Sequence, residues 1–154
     1  MIDKVAKGKI INQLVKEIKA MDIDVFVIIT SEGSDSMTGF IPGVGTVGMG
    51  AFLFTKDNKR YSITTSIDVQ DIEETGFFTE CIKYSDFAQS FHDLWKQIAP
   101  KRAIFDYSED DVFCDGLTVG RFQRMKNSVA DLPPFEIMSS SEVIEAVRRK
   151  TAGV

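Results

Sequence analysis

Ile18-Lys19-Ala20-Met21-Asp22-Ile23-Asp24-Val25-Phe26-Val27-Ile28-Ile29 is the stretch on which the fold turns. Upstream of it, Ile2, Val5, Ile11, Leu14, Val15 and Ile18 recur at helical spacing, and Lys4, Lys7, Asn12, Gln13, Lys16, Glu17 and Lys19 fill the opposite face. Residues 2–20 therefore read as an amphipathic helix. Met21-Asp22-Ile23-Asp24 ends it. Val25 to Ile29 is apolar at every position, the pattern of a strand covered on both faces. A helix feeding a doubly covered strand predicts an α/β fold, a β-sheet flanked by helices.

Downstream, Thr30 to Gly50 is polar and rich in glycine, which predicts a long exposed loop, and loops of that length are usually functional or mobile. Ala51–Thr55 and Arg60–Thr64 are β-rich runs separated by Lys56-Asp57-Asn58-Lys59, so they read as a hairpin that makes the sheet mixed. Ile67, Val69 and Ile72 lie in a short acidic segment that stops at Gly76, a good residue just past a helix end. Phe78–Tyr84 is another strand candidate. Ser85 can cap a helix striped by Phe87, Phe91, Leu94 and Ile98, with Pro100 beyond its end. Ala103–Tyr107 reads as a strand, and Asp111–Lys126 as a weaker helix diluted by Gly116 and Gly120. Phe135–Met138 is a last short strand after Pro133-Pro134. Ser139 and Glu142 form a capping-box pattern for a final helix through Val143, Ile144 and Val147, ending in Arg148-Arg149-Lys150. The expected core includes Phe26, Ile28, Phe52, Phe54, Phe91, Leu94 and Ile104.

The chain has 154 residues and 44% hydrophobic composition, enough for one domain over residues 1–154 without a metal or disulfide staple. The formal charge of −5 argues against a phosphate-backbone binder, so nucleic acid is not an expected partner. No apolar run approaches the ~18 residues of a membrane span and no signal-peptide core follows Met1, so the expectation is a cytoplasmic protein with no membrane partner. Cys81 and Cys114 sit among apolar neighbours and are expected as free thiols.

Four patterns bear on chemistry. Gly43-Val44-Gly45-Thr46-Val47-Gly48 matches the dinucleotide fingerprint in letters, but Pro42 precedes it and a strand follows it, where that motif needs a strand before and a helix after. His92, the sole histidine, reads as a hydrated imidazole on a helix flank; a zinc site needs three or four ligands and a catalytic triad needs a placed His. Asp106 with Glu109-Asp110-Asp111 lacks the spacing of a calcium loop and reads as a solvated cap. Asp71-Ile72-Glu73-Glu74 reads as the charged face of a short helix.

Three features, in order along the chain, resemble the creatinase/prolidase-type N-terminal domain of the pita-bread metallopeptidases, which include Xaa-Pro aminopeptidases and Xaa-Pro dipeptidases. Met21 to Ile28 is similar to the family's polar link into its first strand. Ser36-Met37-Thr38-Gly39-Phe40 resembles the family's Tyr-Leu-Thr-Gly-Phe signature. Ile144 to Thr151 is similar to the Leu-Arg-x-Ile-Lys-Thr helix that joins this domain to the catalytic one. Ser36 stands where Tyr is common and Met37 where Leu is usual, and Ala152-Gly153-Val154 replaces the usual Glu-Ile.

The resemblance implies a mixed β-sheet flanked by helices, ribonuclease-H-like, in a domain that performs no chemistry alone. The family's two divalent ions (manganese, cobalt or zinc) are held by two Asp, one His and two Glu of a following catalytic pita-bread domain, and those motifs are absent here. No catalytic and no metal-ligating residue is thus expected in this chain. The partners it implies are that C-terminal catalytic domain and a second copy in a homodimer. The substrate-gating loop carried over is Ser31–Gly50, with Asp35, Thr38, Gly39, Phe40, Gly43 and Gly45 as its candidate residues and Arg60 a cation nearby. Phe40 is expected as an internal anchor beside a special backbone at Gly39, with Asp35 and Gly43–Gly48 loosely held and pointing outward. The competing readings are a free-standing peptide- or protein-binding module of the same origin, and a small independent hydrolase or nucleotide-binding protein.

Overall fold

The computed structural model describes residues 3–32 and 34–153; Ile2 and Gly33, which the sequence reading placed in the first helix and the long loop, lie outside them. Helix α1 spans Lys4–Ala20 and is capped by Asp3, whose carboxylate accepts from the Ala6 N–H at 3.1 Å. Strand β1 (Val25–Thr30) follows, and all six of its residues are buried. Then come β2 (Gly50–Thr55), β3 (Arg60–Thr64), α2 (Val69–Glu74), β4 (Glu80–Lys83), α3 (Phe87–Ile98), β5 (Arg102–Phe105), α4 (Val119–Ser128), β6 (Glu136–Ser139) and α5 (Ser141–Lys150).

The six strands form one mixed sheet in the order β4-β3-β2-β1-β5-β6. β1, β2 and β3 are antiparallel in succession, while β5 runs parallel to β1, β6 to β5 and β4 to β3. The hairpin read between Ala51 and Thr64 is the β2–β3 pair, and Asn58 takes a positive φ of 65° in its turn. Gly76, at φ 72°, ends α2 as the sequence predicted.

Strand alternation divides the core in two. Phe26, Ile28, Phe52, Phe54 and Ile104 face α1 and α5, meeting Ile11, Leu14, Ile18, Val143, Ile144 and Val147. Val25, Val27, Ile29, Leu53, Ala103 and Phe105 face α3 and α4, meeting Phe91, Leu94, Trp95 and Met125. Aromatic rings run through this second layer: Phe87–Phe91, Phe91–Trp95 and Trp95–Phe105 have centroids 5.8, 5.2 and 5.9 Å apart. Every expected core residue is buried.

Three local readings are corrected. Asp86, not Ser85, caps α3, accepting from the Gln89 N–H at 3.3 Å. The capping box at α5 does not form. Ser139 is the last residue of β6, where its hydroxyl donates to the Tyr107 carbonyl at 2.8 Å, and Ser140 spends its own on the Cys114 carbonyl at 3.1 Å. The helix expected over 111–126 is a 3₁₀ turn at Val112–Cys114 followed by α4, because Thr118 supplies a separate cap to the Arg121 N–H at 3.2 Å.

Candidate functional site

The segment between β1 and β2 is packed, not loose. Asp35 caps a 3₁₀ turn, Ser36–Gly39: its Oδ1 accepts from the Met37 N–H at 2.9 Å, and its carbonyl from the Thr38 hydroxyl at 2.8 Å. Met37, Thr38 and Ile41 are buried, so the turn is nailed down by its own side chains. The Ile41–Pro42 peptide is cis. Phe40 is half-buried against the first core layer, edge-on to Phe113 at 6.0 Å, as the anchor reading expected. Lys7 of α1 reaches across to donate to the Gly39 carbonyl at 2.9 Å and lies over the Phe40 ring. The special backbone is at Gly43, not Gly39: Gly43 has φ 88°, and a Cβ there would meet the Lys7 chain at 2.9 Å.

The second half of the segment is tethered by one carboxylate. Asp68, 4% exposed, accepts from the Val47 N–H at 2.8 Å and the Gly48 N–H at 3.0 Å. Thr46 folds its hydroxyl onto the Gly48 carbonyl at 2.7 Å. Gly45 and Val47 remain exposed, so the outward-facing tip narrows to the neighbourhood of these residues. The stretch enters β2 through bends, which confirms that the fingerprint letters at Gly43–Gly48 cradle no helix N-terminus.

Asp35 does not point outward. It is 1% exposed, and a Cβ on Gly116 would overlap its carboxyl group, so the bare Gly116 backbone is what admits it. Beside it lies Asp106, 0% exposed, at the end of β5. Both Asp106 oxygens lie 3.3 Å from the Ile29 N–H of β1. Burial, and then a hydrogen bond to Asp35, hold the Asp106 carboxyl well above the usual carboxylate range. The expectation of Asp106 as a solvated cap therefore fails. Of its acidic neighbours, Asp111 caps the Val112–Cys114 turn, accepting from Phe113 N–H at 3.0 Å, and Glu109 and Asp110 are exposed.

The other candidates are structural. His92 is not free on the surface: its Nε2 lies 3.1 Å from both Asp131 oxygens and its Nδ1 3.2 Å from Asp93. Asp131 first, then Asp93, raises the pKa of the ring, which ties α3 to the turn after α4. Cys81 and Cys114 are both free, and burial together with Asp111 pushes the Cys114 thiol up to about 12. Arg60 bonds Asn58 at 3.0 Å and Asn12 at 2.6 Å. Among the described residues no group of three or more His, Cys, Asp or Glu is placed to hold a metal ion, and no helix is long and apolar enough to cross a membrane.

Lys7, Asp68, Asp106 and Gly116 are the residues that sequence reasoning missed around the loop. Gly116 reads as a helix diluter and Asp68 is one unremarked acid in a short acidic segment; only the tertiary fold joins them to residues 35 and 47.

A family model described as the creatinase/prolidase N-terminal domain matches residues 10–150. No curated protein sequence matches the chain. Among solved structures, the Xaa-Pro dipeptidase from Bacillus anthracis superposes with a TM-score of 0.64 at 19% identity, over 92% of this chain and 36% of that one. The N-terminal domain of the Xaa-Pro dipeptidase from Lactobacillus brevis gives 0.66 at 15% identity, over 88% and 98%. A proline dipeptidase from Streptococcus pneumoniae gives 0.69 at 13% identity, over 90% and 96%. The chain thus spans about a third of the Bacillus dipeptidase and nearly all of the other two chains.

Proposed function

The chain belongs to the creatinase/prolidase N-terminal domain family, and on that premise we propose that it is the non-catalytic N-terminal part of an Xaa-Pro peptidase. In that role it builds a homodimer and gates the substrate of a dimetal hydrolase. The observation that supports the reading is the coverage: the chain accounts for 36% of the Xaa-Pro dipeptidase chain from Bacillus anthracis, which suits a domain that works beside a catalytic one. The two divalent ions, manganese, cobalt or zinc, belong in this reading to that C-terminal catalytic domain. The free thiols of Cys81 and Cys114 suit a reducing cytoplasmic compartment.

Within the loop, gating falls to the exposed tip around Gly45 and Val47, which Asp68 holds through the Val47 and Gly48 N–H groups, while Asp35, Thr38 and Phe40 anchor the turn that precedes it. A tip fixed by an internal scaffold can limit substrate length sterically, since its position costs little ordering entropy on closure.

The test uses two measurements. Light scattering should give twice the 17.2 kDa chain mass. Joined to the catalytic domain of a prolidase-type enzyme, Val47→Gly should change KM or peptide-length preference and leave the melting temperature nearly unchanged. Xaa-Pro hydrolysis by this chain alone with added manganese would overturn the reading, as would a gated enzyme indifferent to the tip.

A further inference from the structure

The buried carboxyl pair beneath the loop has a use that the gating reading does not require. Asp35 Oδ1 is occupied by the Met37 N–H, but Oδ2 is sealed from solvent with no donor of its own. Its immediate neighbour is Asp106, another acid, itself fully buried. Two carboxylates in a dry site repel unless one is protonated, and a protonated Asp106 supplies the donor that Oδ2 lacks. Gly116 closes the third side by lying directly on the Asp35 carboxyl group.

We propose that Asp35 and Asp106 form a one-proton latch that holds the Ser34–Ile41 segment on the end of β1 and β5, and that loss of the proton releases it. The latch concerns this chain's own loop and stands whether or not that loop gates a substrate.

The charged groups on the surrounding elements make their bonds elsewhere. Arg121 of α4 donates to the Ser34 hydroxyl at 2.9 Å and the Gly116 carbonyl at 3.0 Å, steadying the segment without an ion pair to either acid among the described residues. Asp115 faces the Ser108 N–H at 3.1 Å, and Asp111 faces Phe113. Lys7 of α1 serves Gly39, and Arg148 of α5 stacks on Phe113 at 4.5 Å.

The sign follows from linkage. The latched state binds a proton that an exposed aspartate releases near pH ~3.9. Latching is therefore strongest below that value, weakens as pH rises toward the raised pKa of Asp106, and levels off above it. Between the two limits, the opening constant of the segment should grow by about tenfold per pH unit, one proton being released.

Hydrogen exchange of the full chain, corrected for the intrinsic pH dependence of amide exchange, reads this directly over residues 34–41. The wild type should lose protection progressively as pH rises above about 4, the value of an exposed aspartate. Asp106→Asn, whose amide donates to Oδ2 permanently, should stay protected with no slope. Asp35→Asn removes the second charge but leaves the burial of Asp106, so its loss of protection should move to a different pH from the wild type's, which covers the case in which the first variant fails to fold. Infrared spectra supply a readout independent of variants: a protonated carboxyl band in the mildly acidic wild type that disappears as protection is lost. A pH profile unchanged from the wild type's in either folded variant, or a wild type with no such band, would overturn the latch.

Discussion

At the scale of the residue, Gly116 governs the site through what it lacks. A methyl group there must displace the Asp35 carboxyl, which is held by the Met37 N–H and Asp106 and has nowhere dry to go. Gly116→Ala should therefore cost about 1–3 kcal/mol, the range for overpacking a closed site. Gly120→Ala is the control: nothing lies within 4 Å of a Cβ there, and α4 should gain up to about 1 kcal/mol from the better helix former. Urea denaturation of both variants decides the matter, and equal midpoints would mean that Asp35 moves aside freely. None of this was legible from single positions. Asp35 in a run of serines and glycines has the signature of exposed loop, and its burial depends on a glycine far along the chain. Asp106 looked like one acid among four, yet it is the only one of them whose strand carries it into the sheet.

At the scale of the element, the loop between β1 and β2 is two pieces with separate fastenings. The Asp35–Ile41 piece is held by the carboxyl pair, by Lys7 and by the Phe40–Phe113 contact. The Val47–Gly48 piece hangs on Asp68 at the start of α2. Bonds to a charged acceptor contribute roughly 1.5–3 kcal/mol each, so losing this acceptor should free its piece selectively. Asp68→Ala is expected to accelerate amide exchange at Val47 and Gly48 while Met37 to Ile41 stay protected; simultaneous acceleration of both would make the loop a single unit. The regular elements were far easier to read than this loop. A hairpin announces itself through two short β-rich runs and a polar turn, and α3 through Phe87, Phe91 and Leu94 on one stripe. Helix ends slipped by a residue where two cap formers adjoin, as at Ser85 and Asp86. The loop's order comes from Lys7, Asp68 and Gly116 on other elements, and such tertiary fastening leaves no periodicity.

At the scale of the whole molecule, β1 and β2 decide how the protein unfolds, because each is buried along its full length and belongs to both core layers. Phe26 projects toward α1 and α5, Phe105 on the neighbouring β5 toward α3 and α4, and both are 0% exposed. If the layers were independent, truncating one ring would loosen one face and leave the other standing. They share the same backbone ladder, Phe26 pairing with Ile104 and Val27 with Phe105 in the parallel β1–β5 register. Losing either layer strips apolar cover from strands that the other layer needs. Phe26→Ala and Phe105→Ala should accordingly each remove about 3–5 kcal/mol, transfer energy plus the cavity left behind. Both should shift one common transition, with circular dichroism and Trp95 fluorescence coinciding. Trp95 makes this comparison sharp, since it is the only tryptophan and sits in the α3 layer, stacked 5.2 Å from Phe91. A Phe26→Ala variant whose tryptophan signal melted later than its backbone signal would show that the layers part company and that the sheet does not couple them.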